Sequence, residues 1–205
     1  MADAPANALI HGRLGLGAAH LCVDMQTVFA ERTDWHVPWM ERVLPRVLQI
    51  AHAKADATVF TRFVPPLRPE ECSGAWRRYF ARWRHLTRER MHPELIALLP
   101  PLRELVPPGE AIDKQAYSPF TGTMLHRRLQ ERGVDTLVIS GAETDVCVLY
   151  TVLGAVDLGY RIVIAADAVC SVSDATHDAL MLLYRERFAE QIEVASTEAI
   201  LQAWD

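Results

Sequence analysis

Three side chains in this sequence could together carry out acyl transfer: the carboxylate of Asp24, the ammonium of Lys114 and the thiol of Cys147. Asp24 follows the apolar run Ala19–Val23, where a buried carboxylate is costly without a partner. Lys114 closes the run Ala111–Lys114. Cys147 ends the stretch Gly141-Ala142-Glu143-Thr144-Asp145-Val146-Cys147, a glycine turn that leads into a helical pattern. A thiol in a first helical turn feels the positive end of the helix dipole, so a lowered pKa is expected there, more so with a lysine nearby. A carboxylate within reach would take or relay its proton. Each residue alone has a plainer reading. A buried cysteine is usually a small hydrophobe, an Asp after a strand is often a helix cap, and a lysine is usually solvated. Together they offer a nucleophile, a base and a cation.

These groups need elements to bring them together, and the pattern supplies six apolar runs: Ala19–Val23, Thr58–Phe63, Ala111–Lys114, Thr136–Ser140, Arg161–Ala165 and Gln191–Ala195. Most are near-continuously apolar, as in strands covered on both faces. Helical patterns alternate with them. Pro38–Ala55 carries an interior proline, Pro45, that is expected to kink or restart it. Leu125–Arg132 stops at Gly133 and Val146–Leu158 at Gly159, both C-terminal glycine signals. Asp174–Glu190 and Thr197–Trp204 complete the set. The alternation predicts an α/β fold: a three-layer, doubly wound, Rossmann-like sheet of about six mainly parallel strands with helices on both faces. Ligands of such sheets bind beyond the carboxyl ends of the strands, which is where Asp24, Lys114 and Cys147 fall.

With 205 residues, the chain is expected to form a single domain over residues 18–205, preceded by a tail at 1–17. Gly12, Gly15 and Gly17 precede the first strand and do not complete a phosphate-loop spacing. Residues 65–109 form an irregular insertion with eight prolines and a basic, aromatic segment, Trp76 to His85. Helical spacing puts Trp76, Tyr79, Phe80 and Trp83 on one face, either packed on the domain or lining a substrate pocket. Half of the residues are hydrophobic and the net charge is −5, which argues against nucleic acid or an anionic membrane as partner. Cys22, Cys72, Cys147 and Cys170 form no C-x-x-C and read as reduced thiols of a cytoplasmic protein.

The motifs resemble those of the isochorismatase-like cysteine hydrolases, a family that includes nicotinamidases, N-carbamoylsarcosine amidase and ureidoacrylate-type amidohydrolases. The matching segments are Cys22 to Gln26, Asp113 to Phe120, Gly141 to Val148, Gly159 to Ala168 and Thr176 to Leu180. The resemblance implies a triad of Asp24, Lys114 and Cys147. It implies an oxyanion hole from the backbone N–H groups of Glu143 and Cys147, and a cis peptide between Ala142 and Glu143. It also implies hydrolysis of an amide, carbamoyl or imide C–N bond of a small molecule through a thioester, and a homo-oligomer. Nicotinamidase relatives carry an Asp-x-His pair after the second strand to hold a metal. Here that region reads Thr61-Arg62-Phe63-Val64-Pro65-Pro66, so no metal and no cofactor are expected. The substrate is expected to meet Arg62, Phe29, Trp35, Trp83 and Tyr117, with Arg62 binding a carboxylate or held in a structural ion pair. The alternatives are a vinyl ether hydrolase of the isochorismatase type that uses Asp24 without the thiol, a non-catalytic binding or scaffold member of the fold, or a redox-active thiol protein.

Overall fold

The computed structural model describes residues 9–205. Six strands form one parallel sheet: β1 (Ala18–Val23), β2 (Thr58–Phe63), β3 (Glu110–Lys114), β4 (Thr136–Ala142), β5 (Arg161–Cys170) and β6 (Ile192–Ala195). Their order is β3-β2-β1-β4-β5-β6. The chain therefore winds outward in one direction from β1 to β3 and in the other from β4 to β6. The switch point lies between β1 and β4, where the two halves leave a crevice at the strands' carboxyl ends.

Among the described residues, eight α-helices pack around the sheet: α1 (Thr27–Ala30), α2 (Met40–Ala53), α3 (Gly74–Arg82), α4 (Pro100–Arg103), α5 (Leu125–Glu131), α6 (Leu149–Asp157), α7 (Asp174–Arg187) and α8 (Thr197–Ala203). On one face, Met40, Val43, Val47 and Ile50 of α2 and Ile200 of α8 join Cys22, Phe60, Val138 and Val163 of the strands. On the other, Leu125 and Leu129 of α5, Val152 and Ala155 of α6, and Met181 and Tyr184 of α7 cover Leu21, Val59, Ile139 and Ile164. The strand runs read as near-continuously apolar because both faces are covered in this way.

Three features depart from the sequence expectation. The α2 helix runs through Pro45 without a break. β5 extends five residues further than its apolar run, to Cys170, after a register shift beside Ile139 and Gly141 of β4. Of the expected tail, residues 1–8 lie outside the described residues, whereas 9–17 are docked. Leu9 and Leu14 are buried, the Leu14 N–H donates to the Ala203 carbonyl at 2.8 Å, and Arg161 binds the Gly12 carbonyl at 2.7 Å. Two leucines in that stretch have an apolar surface at α8 to cover, and burial against it holds the segment down.

Candidate active site

The floor of the crevice is built where β1, β2, β3 and β4 end. Asp24 leaves β1 with a φ of +49°, a left-handed conformation that turns its side chain into the sheet's carboxyl end. Its carboxylate is buried. Oδ1 accepts a hydrogen bond from Thr61 Oγ1 at 2.5 Å, and Oδ2 lies 2.7 Å from Lys114 Nζ. Lys114, also buried, donates to the carbonyls of Ala116 (3.1 Å) and Tyr117 (2.9 Å), and its ammonium lies over the Phe63 ring. The two carbonyls and the neighbouring carboxylate together compensate the buried charge. Burial alone would lower the Lys114 pKa, but the charges of Asp24 and Cys147 outweigh it and the ammonium is held above its ordinary value.

Gly141 brings β4, whose following turn carries Cys147, against β1. A Cβ there would stand 2.0 Å from the Val23 carbonyl oxygen, and the residue has a φ of +108°. After it the Ala142–Glu143 peptide is cis. A single π-type turn, Thr144–Val148, follows and runs into α6. The Glu143 carbonyl accepts the N–H groups of Val146 and Val148, both at 3.0 Å. Asp145 anchors the turn from behind, accepting from Ser171 Oγ at 2.6 Å and from Thr176 Oγ1, while Thr144 Oγ1 pairs with His177 Nδ1 at 2.9 Å. Cys147 is carried on this turn, buried and electrostatically coupled to Asp24 and Lys114.

The expectation of a lowered thiol pKa is overturned. Burial pushes the Cys147 thiol well up, the Asp24 charge adds to the rise, and Lys114 opposes it. The helix-dipole argument assumed an exposed first turn; here desolvation beside a carboxylate dominates. The rise favours the protonated thiol beside the Asp24 carboxyl over a standing thiolate. The Glu143 carboxyl, half-buried, is pushed up to about 7 by burial and by the Asp145 charge.

Beside this floor lies a cavity of about 400 Å³ lined by Trp76 and Tyr79 of α3, Tyr117, Ser118, Thr121 and Tyr150. The basic, aromatic segment thus does both things considered for it. Phe80 is buried in the core, while Trp76 and Tyr79 face the cavity. Tyr117 stands in the cavity wall as expected. Phe29 and Trp35 belong to an aromatic stack behind it, with ring centroids 6.2 Å apart and Trp35 6.1 Å from Tyr79. Trp83 is not among the cavity residues: it packs against the core, with the Arg82 guanidinium over its ring. Arg62 is likewise not in the crevice. It makes a two-toothed ion pair with Asp113, at 2.6 and 2.9 Å, because neighbouring strand residues face opposite ways and both Thr61 and Phe63 turn toward Asp24 and Lys114.

Sequence reasoning passed over Thr61 and the role of Gln26. The Gln26 side chain receives the Phe63 N–H at 2.7 Å and donates to the carbonyls of Phe63 and Ile96, tying the end of β1 to the end of β2. A polar residue two places after a strand-end Asp was the available signal. For a metal of the nicotinamidase kind the residues do not fit. The stretch after β2 offers Val64, Pro65 and Pro66, and among the described residues no group of three or more His, Cys, Asp or Glu converges.

This arrangement defines a class: a doubly wound α/β sheet with a buried Asp–Lys pair facing a cysteine on the next strand's turn. Residues 18–196 match the isochorismatase domain model, and the chain belongs to that family. It is 41% identical over 66 residues to an uncharacterized isochorismatase family protein, PncA, of Bacillus subtilis, covering 32% of this chain and 36% of that protein. It is 32% identical over 117 residues to a nicotinamidase of Acinetobacter baylyi, covering 54% and 53%. The matched stretches thus span about half or less of these relatives. Among solved structures, a cysteine hydrolase from Pseudomonas syringae pv. phaseolicola superposes with a TM-score of 0.77 at 23% identity, covering 92% of each chain. The N-carbamoylsarcosine amidase of Thermoplasma acidophilum does so with a TM-score of 0.70 at 21% identity, covering 88% of this chain and 96% of that one. At such identities these likenesses establish the fold.

Proposed function

We propose that the protein is a metal-independent cysteine hydrolase that cleaves an amide-type C–N bond of a small molecule through a thioester. The observation that carries this reading is the buried Asp24–Lys114 pair at 2.7 Å coupled to the Cys147 thiol. Lys114 holds the Asp24 carboxylate in place. As substrate enters, Asp24 takes the thiol proton and the sulfur attacks the carbonyl carbon. The N–H groups of Glu143 and Cys147 receive the developing oxyanion, each contributing about 3 kcal/mol as in other acyl-transfer sites. The tetrahedral adduct collapses, the C–N bond breaks, and Asp24 returns the proton to the departing nitrogen. A water molecule, deprotonated by Asp24, then attacks the thioester. The acid leaves and the thiol regains its proton.

An elevated thiol pKa suits this scheme, because the proton is handed over only when an acyl group is present to receive the sulfur. The names of the relatives, nicotinamidase and N-carbamoylsarcosine amidase, support an amide-type substrate. The test is ammonia release from a panel of small amides, ureas and carbamoyl compounds, with Cys147→Ala as control. Turnover of at least one compound is expected, falling by about 10⁴-fold or more in the variant. Full activity of Cys147→Ala on the best substrate would exclude covalent catalysis and favour an ether hydrolase that uses Asp24 alone.

A further inference from the structure

Four aromatic rings wall the cavity, and each stands against the next. The ring centroids of Trp76 and Tyr79 are 5.5 Å apart, those of Trp76 and Tyr117 4.8 Å, and those of Tyr117 and Tyr150 5.3 Å. Successive planes are inclined by 80°, 57° and 53°, so the rings meet as sides of a box rather than as parallel faces of a slot. The box is braced, with Phe80 stacked on Trp76 at 5.8 Å and Trp35 on Tyr79 at 6.1 Å. Walls already held in place lose little freedom when a ligand enters. The cavity adjoins the reacting groups at two points. Lys114 donates to the carbonyls of two wall residues, Ala116 and Tyr117, and Tyr150 follows Cys147 by about one helical turn. Among the described residues the lining holds no charged side chain and no aliphatic one larger than alanine; besides the phenols, its polar side chains are Ser118 and Thr121. A cavity for neutral hydrocarbon draws on leucine and isoleucine, which are missing from this wall. An anion would need a cation in the wall. Arg62 is paired with Asp113, Arg77 donates to the Cys72 carbonyl at 2.8 Å, Arg88 donates to the Pro65 carbonyl, and Lys114 is paired with Asp24. Electron-rich rings on several sides of one space are the surroundings that attract an alkylated ammonium group.

We propose that the box of Trp76, Tyr79, Tyr117 and Tyr150 is a cage for an organic cation, a quaternary or N-alkylated ammonium group, and that the substrate is a small amide carrying such a group away from its reacting carbonyl. The substrate half of this inference rests on the reading of Cys147 as the nucleophile. The cage itself does not.

Choline and the neutral alcohol in which carbon replaces its nitrogen share one shape and differ in charge. Titration calorimetry on the parent protein should show choline bound at least about tenfold more tightly, the scale of contacts between a cation and several partly desolvated rings. That preference should fall severalfold in Trp76→Leu and in Tyr150→Leu, which keep apolar bulk and remove a ring. Tyr150 is exposed, so its variant reads the cage without endangering the fold. The preference should persist in Cys147→Ala. Equal affinity for the two alcohols, or a preference that both ring variants leave unchanged, would overturn the cage. A second pair tests the substrate half: the amide of γ-trimethylammonio-butyric acid and the neutral amide in which carbon replaces its nitrogen. Mass spectrometry follows alkylation of Cys147 by iodoacetamide, with half-exposed Cys72 as reference. The cationic amide should protect Cys147, and not Cys72, at about one tenth of the concentration that the neutral amide needs. Equal protection by the two, or none by either, would separate the cage from the reacting centre and overturn the substrate class. Full turnover of the best amide by Cys147→Ala, with choline still preferred, would remove the nucleophile reading and leave the cage standing.

Discussion

At the scale of single residues, burial rather than proximity alone sets the chemistry. The Lys114 ammonium is held above its ordinary value because charges stand beside it, whereas burial and the Asp24 charge push the Cys147 thiol up against the opposing pull of Lys114. A second buried titratable group, His20 in β1, makes the point away from the crevice. Its ring bridges Thr58 Oγ1 of β2 (3.2 Å) and Ser140 Oγ of β4 (2.7 Å), and burial drives its pKa down to about 3. The fold therefore keeps it neutral, whereas the unfolded chain protonates it below about pH 6.5. Stability linked to His20 is complete above that value and is lost as pH falls toward 3, at about 1.4 kcal/mol per pH unit. Glu143 acts with the opposite sign: its raised pKa, about 7, costs stability progressively as pH rises from about 4.5 to 7. The two effects overlap in the parent protein, so the informative quantity is the difference between parent and His20→Asn. In urea unfolding, the parent should lose about 2–3 kcal/mol more than the variant between pH 7 and pH 4.5. A difference that does not change with pH would mean that His20 is protonated in the fold.

At the scale of elements, Cys147 is positioned by a strand that could not come so close to β1 with any side chain at Gly141. A Cβ at that position meets Val23 backbone at 2.0 and 2.7 Å, in a conformation already unfavourable for other residues. Gly141→Ala is therefore expected to prevent folding or to cost more than about 4 kcal/mol. Gly159→Ala serves as a reference: it has a positive φ but open space around it, so about 1 kcal/mol is expected. Thermal unfolding of the two variants compares them, and equal losses would show that β4 can shift away from β1 without harm. Much of this scale was legible beforehand. Continuous apolar runs gave all six strands, and the strand ends gave Asp24, Lys114 and the turn that carries Cys147. What the pattern hid depends on partners distant in sequence. Arg62 was placed in the crevice because it ends a strand, yet the register that sets it opposite Asp113 appears only once β2 and β3 are paired. Tyr79 and Trp83 share one helical face, and only the docking of α3 decides that the former meets the cavity and the latter the core. The thiol's elevated pKa was illegible for the same reason, since burial is a property of the assembled sheet.

At the scale of the whole molecule, the helices of one face are not finished surfaces. α6 exposes Tyr150 and Leu153, the residue just after it is the exposed Leu158, and α7 exposes Leu182 and Leu183, with Val172 exposed just before it. Scattered exposed leucines are ordinary, but these sit on elements of the α5–α6–α7 layer, the layer that carries Cys147. Tyr150 also stands in the cavity wall, so a surface laid on α6 would border the cavity mouth. We propose a homo-oligomer joined through this layer, which would cover these side chains. Light scattering at micromolar concentration should then give a mass at least twice the 23.0 kDa of one chain. Leu153→Arg combined with Leu183→Glu should lower that mass toward a single chain and, by opening the cavity mouth, raise KM for a small amide more than it lowers kcat. A monomeric parent would mean that these side chains are simply solvated. An oligomer that survives both substitutions would place the contact on another face, away from the crevice.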